Sequence, residues 1–163
     1  MLARQARTSD APAIARIYNQ GIEDGVATFE TRPRTPEEVR AWFDGKHPAT
    51  VVEHDGEVIA FAATFPYRAC ECYAGIAEVS VYVDRAARGQ GAGRLALAEL
   101  LRASEQSGYW KLVSRIFPEN TASRALVRSL GFREVGTYEK HGRLGGAWRD
   151  VIIVEQLIPA NLR

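Results

Sequence analysis

The stretch Arg88-Gly89-Gln90-Gly91-Ala92-Gly93 lies between a segment typical of a β-strand and a segment typical of an α-helix. The residues before it, Glu78-Val79-Ser80-Val81-Tyr82-Val83, are rich in β-branched and aromatic side chains, which favour strands. After it, from Arg94 to about Ser107, leucines recur at the spacing of one helix face. A strand, a glycine-rich loop and a long helix in this order predict a mixed α/β fold built around the connection.

The alternating glycines make this loop a candidate anion site. A glycine has no Cβ, so its backbone can adopt positive φ and approach a ligand closely. The loop amides then lie at the start of a helix, where unpaired N–H groups and the helix dipole favour negative charge. Arg88 and Arg94, with Arg85 nearby, add positive side chains to the same place. We therefore expect the loop to cradle a pyrophosphate.

Several ligands bind to loops of this kind. The triphosphate pattern requires Lys-Ser/Thr after its last glycine, and no lysine follows Gly93. The dinucleotide pattern Gly-x-Gly-x-x-Gly fails from Gly89, because its third glycine position holds Arg94; from Gly91 it ends on Ala96, a permitted variant. The segments also lack the two alternating halves of a dinucleotide-binding fold. A glycine-rich connection without a ligand remains an alternative at this point.

Composition narrows the class of protein. The chain has 163 residues, 46% of them hydrophobic and 25% charged, which is ordinary for one globular domain with a real core. The net charge of +1 without a basic block gives no reason to expect a nucleic-acid partner. No run approaches the roughly 20 apolar residues of a membrane span, and the N-terminus has no apolar signal core. Cys70 and Cys72 are too few and too close for a disulfide framework. We expect one domain, residues 1–163, in the cytoplasm.

The remaining pattern predicts helices first, then an antiparallel meander, then alternating strands and helices. One helix is expected to be capped by Thr8 or Ser9, and a second to open at Thr35-Pro36 and to run through Trp42 and Phe43. Asp55-Gly56 is a strong hairpin signal. A further helix is expected over residues 121–130, and strands over residues 2–6, 50–53, 58–65, 76–83, 111–116, 132–139 and 150–157.

Two motifs together resemble those of the GCN5-related N-acetyltransferases. The loop fits Arg/Gln-x-x-Gly-x-Gly/Ala, and Asn120-Thr121-Ala122-Ser123 precedes a predicted helix that ends in Leu130-Gly131-Phe132. The resemblance implies acetyl-CoA as co-substrate, with its pyrophosphate on the loop and its pantetheine or phosphate arm hydrogen-bonded by Asn120 and Ser123. The loop residues concerned are Arg88, Gly89, Gln90, Gly91, Ala92, Gly93 and Arg94. Asn120 as a simple helix cap is the alternative.

The likeness extends to the phosphinothricin N-acetyltransferase family over almost the whole chain. It is carried by Ile17-Tyr18-Asn19, Ala27-Thr28-Phe29-Glu30-Thr31, the strand from Glu78 to Val83, and Trp148-Arg149-Asp150-Val151. The stretches around Tyr67-Arg68-Ala69-Cys70 and from Trp110 to Arg115 are most similar to the branch associated with arsinothricin resistance. The family implies a single-domain fold, a mixed and mostly antiparallel twisted sheet of about seven strands flanked by about four helices. It also implies a homodimer, and a small amino acid as substrate.

Glu78 is the candidate general base. Side chains alternate along a strand, so Glu78, Ser80 and Tyr82 share one face, and a partly desolvated carboxylate there suits proton abstraction. The resemblance places the catalytic glutamate of the family at this position; an ordinary solvent-facing glutamate is the alternative. It also implies that Val81, Tyr82 and Val83 bind the acetyl and pantetheine groups through their backbone, because this strand splays from its neighbour.

Arg68, ten positions before Glu78, is the candidate for gripping a carboxylate or phosphinate of the acceptor, since its guanidinium matches two oxygens at once. Phe29 and Glu30 are candidates for lining the same cleft. Val127 stands where the family often has a proton-donating Tyr or His, so the thiolate must leave unaided or be protonated by another hydroxyl such as Tyr82 or Tyr138. No metal is expected, because Cys70 and Cys72 lack further ligands at suitable spacing.

These residues are compatible with three functions. The first is acetyl transfer from acetyl-CoA to the α-amine of a small glutamate-like amino acid, of the phosphinothricin, methionine sulfoximine or arsinothricin type. The second is acetylation of protein N-termini or of other small amines. The third is a coenzyme A-binding module without catalysis, which the valine at position 127 would favour and Glu78 would oppose.

Overall fold

A computed structural model describes all 163 residues. Its seven strands are β1 Leu2–Gln5, β2 Ala49–His54, β3 Glu57–Pro66, β4 Ile76–Val83, β5 Lys111–Ile116, β6 Arg133–Leu144 and β7 Ala147–Leu157. Its four helices are α1 Ala11–Asp24, α2 Pro36–Arg40, α3 Ala92–Gln106 and α4 Thr121–Ser129. None of the helices combines the length and the apolar character that a bilayer crossing requires.

The seven strands form one sheet in the order β1-β2-β3-β4-β5-β7-β6. Every neighbouring pair is antiparallel except β4 and β5, which run parallel. One apolar core packs α3 and α4 on one face of the sheet, and a second packs α1 and α2 on the other. The predicted mixed, mostly antiparallel sheet with helices on its faces is confirmed.

The N-terminal helix begins later than predicted. Thr8–Asp10 form a short 3₁₀ turn, and α1 starts at Ala11 with no side-chain cap from Thr8 or Ser9. The reason is Asp10, whose carboxylate accepts hydrogen bonds from the Arg7 amide at 2.7 Å and from the Arg4 guanidinium at 2.8 and 2.9 Å. These contacts fix the chain direction at Asp10, so the predicted cap was wrong.

Helix α2 is shorter than its apolar spacing predicts. The Thr35 hydroxyl caps it, accepting from the Glu38 amide at 3.2 Å, as expected from the sequence. The helix ends at Arg40, however, and Trp42 lies in a turn with its ring 5.0 Å from that of Phe65. Trp42 and Phe43 therefore pack on the second core without being helical.

The last hairpin is longer than predicted. β6 continues to Leu144 and β7 begins at Ala147, joined by Gly145 and Gly146, whose φ angles are +58° and +80°. A two-residue turn that twists with its strands requires positive φ at both positions, which Gly-Gly provides at low cost. The Asp55-Gly56 turn between β2 and β3, with φ of +51° and +78°, obeys the same rule and was predicted correctly.

Candidate active site

The two parallel strands at the centre of the sheet separate after three rungs. β4 and β5 pair at Ile76–Lys111, Ala77–Leu112 and Glu78–Val113 and no further. Where they part, the Ser114 hydroxyl donates a hydrogen bond to the Val79 carbonyl at 2.8 Å. Peptide groups alternate in direction along a strand, so the N–H and C=O of Val81 point the same way as those of Val79. The Val81 peptide groups therefore face the opening without a strand partner, which agrees with the expected splay.

A cavity of about 640 Å³ fills this fork, within the usual size range of small-molecule sites. Its walls come from both faces of the sheet: α1 on one side, α3 and α4 on the other. Eleven predicted cofactor residues line it: Val81, Tyr82, Val83, Arg88, Gly89, Gly91, Ala92, Gly93, Arg94, Asn120 and Ser123. Gln90 is exposed in the same loop and is not part of the lining.

The glycine loop has the geometry expected of an anion cradle. Gly89 and Gly91 adopt φ of +78° and +87°, and Gly91 is the N-cap residue directly before α3. No side chain caps the first amides of α3, so their N–H groups stay available to a ligand. A Cβ on Gly93 would lie 2.8 Å from Leu126 Cδ1 and 3.1 Å from Val83 Cγ2, so glycine lets α3 pack closely on its neighbours. These residues fit the pyrophosphate of acetyl-CoA.

The three arginines near the loop are not equivalent. Arg88 lies 2.6 Å from Asp24 at the end of α1, and Arg85 contacts Asp24 at 2.9 Å and Glu23 at 3.2 Å. Hydrogen bonds from Arg88 and Arg85 lower the pKa of Asp24. Arg94 lines the cavity and forms no ion pair. Arg94 therefore supplies the uncompensated charge beside the loop, whereas the charge of Arg88 is matched by a carboxylate.

Glu78 lies at the last paired rung, on the same sheet face as Ser80 and Tyr82, as the alternation predicted. Its carboxylate is not isolated in a desolvated cleft as expected. The Arg115 guanidinium donates to it at 3.2 Å, and the Glu78 side chain remains 30% exposed. Glu78 does not itself line the cavity, but Arg115 does. The carboxylate of Glu78, the predicted base, is thus connected to the cavity through this ion pair.

Arg115, which lies between Glu78 and the cavity, was not singled out from the sequence. It belongs to the alternating set Lys111, Val113 and Arg115 on one face of β5. The pattern of β5 alone does not say which strand lies beside it. The parallel pairing of Glu78 with Val113 brings the next residue on that face, Arg115, next to the carboxylate.

Tyr82 contributes a hydroxyl-bearing side chain to the cavity wall. Its ring stacks on Phe61 with centroids 5.4 Å apart and meets the edge of Tyr18 at 5.1 Å. Burial raises the pKa of Tyr82, so its phenol stays protonated and able to donate. The other hydroxyl considered, Tyr138, is exposed on β6 beside His141 and lies outside the cavity. Val127 is buried and lines the cavity, and its aliphatic side chain has no proton to donate.

The three predicted acceptor residues lie outside the cavity lining. The Phe29 ring lies 4.8 Å from that of Phe117, and Glu30 forms an ion pair with Arg34 at 2.7 Å. Arg68 is exposed, with its guanidinium 5.2 Å from the Tyr67 ring. None of the three lines the cavity, and their role in binding an acceptor stays a prediction.

Asn120 and the cysteines have simple local roles. The Asn120 side chain accepts a hydrogen bond from the Ser123 amide at 3.2 Å and so caps α4, while both residues also face the cavity. Cys70 and Cys72 are exposed free thiols with Sγ atoms 2.7 Å apart. No group of three or more His, Cys, Asp and Glu side chains is arranged to hold a metal ion.

Residues 14–132 match the family described as Acetyltransferase (GNAT) family. The chain belongs to this family. The phosphinothricin N-acetyltransferase of Streptomyces coelicolor is 35% identical to it over 154 residues, with 90% of each chain covered. The L-methionine sulfoximine/L-methionine sulfone acetyltransferase of Pseudomonas paraeruginosa is 32% identical over 157 residues, covering 93% of this chain and 91% of that protein.

Solved structures of other GNAT proteins superimpose closely on this fold. A ribosomal-protein-alanine N-acetyltransferase from Brucella melitensis has a TM-score of 0.91 at 34% identity, covering 97% of this chain and 100% of that one. The structure of yncA from Salmonella typhimurium, which holds acetyl-CoA, has a TM-score of 0.91 at 29% identity, covering 96% and 93%. The predicted fold and the predicted class, an acetyl-CoA-dependent N-acetyltransferase, are confirmed, and a module without catalysis is set aside.

Proposed function

We propose that this GNAT enzyme acetylates the α-amino group of a small, glutamate-like amino acid and so confers resistance to it. Phosphinothricin, methionine sulfoximine and arsinothricin are the acceptors proposed. The single observation that carries the proposal is the Glu78–Arg115 pair at the root of the fork, which offers one carboxylate and one guanidinium 3.2 Å apart. The names of the relatives that act on phosphinothricin and methionine sulfoximine support the same acceptor class.

The donor is proposed to lie along the fork. The first amides of α3 and the Arg94 side chain would hold the pyrophosphate, and the Val81 peptide groups would pair with the pantetheine arm. Asn120 and Ser123 on the opposite wall would contact the same arm. Bound there, acetyl-CoA supplies an acyl group activated as a thioester.

Three groups of the chain then perform the transfer. Glu78 takes a proton from the acceptor ammonium, directly or through a water, which frees the nitrogen lone pair to attack the carbonyl carbon. The Val81 N–H donates to the carbonyl oxygen as negative charge develops there. The C–N bond forms and the C–S bond breaks; the attacking nitrogen loses its second proton to solvent, and the departing sulfur receives a proton from Tyr82 or from water. Burial raises the pKa of Tyr82, which keeps the phenol protonated but also makes it a weak acid, so the site favours water as the proton source.

A second candidate acceptor is a protein N-terminus. It is favoured by the similarity to the ribosomal-protein-alanine N-acetyltransferase, which is 34% identical over nearly the whole chain. Both acceptors present an amine to Glu78. They differ in the group attached to the α-carbon, since a free amino acid carries a carboxylate there and a peptide carries an amide.

The experiment that separates them is a thiol-release assay with acetyl-CoA and a panel of acceptors. Phosphinothricin, methionine sulfoximine, arsinothricin, glutamate and alanine-initiated peptides are compared at equal concentration, with buffer alone as control. Turnover confined to the glutamate analogues is the expected result. Turnover confined to peptides would replace the proposal with the second candidate, and no turnover with any acceptor would overturn both.

We also propose that residues 1–163 form one N-acetyltransferase domain that works as a cytoplasmic homodimer, as the resemblance to the phosphinothricin enzymes implies. Two cysteines only two positions apart, too few for a disulfide framework, support a reducing compartment. Sedimentation equilibrium at micromolar concentration tests the dimer, and a mass close to 18.0 kDa would contradict it.

A further inference from the structure

The Arg115 guanidinium has hydrogen-bonding capacity to spare. A guanidinium carries five N–H donors, and Glu78 is its only hydrogen-bond or ion-pair partner, through one nitrogen at 3.2 Å. The side chain is 53% exposed and lines the cavity. Lys111, on the same face of β5, is in contrast bound to Glu155 at 2.8 Å. Arg115 is therefore the cation beside the proposed base that remains open to a second anion.

An α-amino acid presents two opposite charges on one carbon. Its ammonium complements a carboxylate. Its own carboxylate complements a guanidinium, which can donate two parallel hydrogen bonds to it. Glu78 and Arg115 present these two partners side by side. We propose that Arg115 is a specificity-determining residue that binds the α-carboxylate of the acceptor while Glu78 receives its ammonium; this rests on the proposed function.

Binding of an acceptor to Arg115 changes the contacts of Glu78, the proposed base. In the free enzyme the Glu78 carboxylate is held by Arg115. An acceptor carboxylate that binds the unused N–H groups of Arg115 shares its positive charge, which weakens the contact to Glu78 and lets that carboxylate turn to the ammonium beside it. An amine without an α-carboxylate leaves the Glu78–Arg115 pair closed. Arg115 thus selects amino acids over simple amines. Arg68 lies outside the cavity and is not needed for this contact.

The test compares phosphinothricin with its decarboxylated analogue, 3-aminopropyl(methyl)phosphinic acid, in wild type and in Arg115→Gln, by kcat/KM from thiol release. A lost charge-assisted hydrogen bond corresponds to a fall of about 10- to 100-fold. We expect that fall for phosphinothricin, carried by KM, and a rise for the analogue, because the variant no longer holds Glu78 in the ion pair. Arg115→Lys is expected to recover part of the preference. Arg102→Gln removes a similarly exposed arginine, one paired with Glu99 on α3, and serves as the matched control.

Two outcomes would overturn the inference. An equal fall for both acceptors, confined to kcat and accompanied by a shifted pH–rate profile, would mean that Arg115 acts only on Glu78. Unchanged kinetics of Arg115→Gln with both acceptors would show that Arg115 has no role in acceptor binding. Calorimetric binding of acetyl-CoA, expected to be unchanged, shows that the variant is folded. Failure of the proposed function is distinct, since wild type itself would then acetylate neither compound.

Discussion

The Arg115 guanidinium lies 3.2 Å from the Glu78 carboxylate, just beyond the last rung at which β4 and β5 are paired. One residue further along β4, the strands have separated and the cavity begins. The charge pair therefore stands at the boundary between closed sheet and open fork. In the proposed binding mode, an acceptor amine at this boundary meets the acyl group of a donor that lies along the fork.

Replacing Glu78 with Gln removes the proposed base and keeps the size of the side chain. We expect kcat to fall roughly 10²-fold or more, because the acceptor ammonium then has no protein group to take its proton. Thiol release measured across pH 6 to 10 checks this. The affinity for acetyl-CoA by calorimetry should not change, and a wild-type rate over that pH range would remove Glu78 from the mechanism.

Gly91→Ala is expected to weaken binding of acetyl-CoA. Its φ of +87° costs a residue with a Cβ about 1–2 kcal/mol, and relaxation would turn the first α3 amides away from the ligand. Gly45→Ala is the matched control, since Gly45 also has positive φ, +77°, with nothing within 4 Å, and does not line the cavity. Urea unfolding should show similar destabilisation of both variants. Equal affinity for acetyl-CoA in the two would contradict the cradle.

Arg94→Gln tests which arginine holds the donor. Arg94 has no carboxylate partner, so we expect its loss to raise the Kd for acetyl-CoA about tenfold and to reduce the salt dependence of binding. Titrations at low and high salt measure both effects. Arg102→Gln should leave both unchanged. If Arg94→Gln binds like wild type, the anion is held by the amides alone.

Asp10→Asn tests the ion pair that fixes the start of α1. Hydrogen bonding from Arg4 lowers the pKa of Asp10, so the carboxylate stabilises the fold fully above its unfolded pKa of about 4. That contribution is lost as the pH falls through the lowered folded pKa. At pH 7 we expect a loss of about 2 kcal/mol in urea unfolding.

The difference in unfolding free energy between wild type and Asp10→Asn is best measured as a function of pH. Below the folded pKa of Asp10 the wild-type carboxyl is neutral, as the amide of the variant always is, so the gap between them should close. Asp55→Asn, at the exposed β2–β3 turn, should change stability little at either pH. A gap that stays constant with pH would show that Asp10 acts by shape and not by charge.

Local patterns in the sequence were enough to place the central strand, the loop and α3. Alternation along Glu78 to Val83 assigned the faces of β4, and the glycine spacing predicted positive φ at Gly89 and Gly91. Both are short-range properties, since they depend on side-chain periodicity and on the absence of a Cβ.

Features set by long-range contacts were missed. Arg115 and Glu78 are 37 positions apart in the sequence, and they meet only because β5 pairs with β4 in parallel. Trp42 and Phe43 have helical spacing, yet they pack against the second core from a non-helical segment after α2. The length of the β6–β7 hairpin was readable from Gly145-Gly146, a turn pair that the sequence interpretation did not use.

The Ser114 hydroxyl that donates to the Val79 carbonyl explains how the sheet tolerates a permanent gap. Where two strands part, the first unpaired carbonyl needs another hydrogen-bond donor, either a water or a side chain. Here a side chain completes that bond from the neighbouring strand, so the separation is built into the resting enzyme. In the proposed binding mode, no strands have to be separated to admit the donor, so its binding energy remains available for alignment.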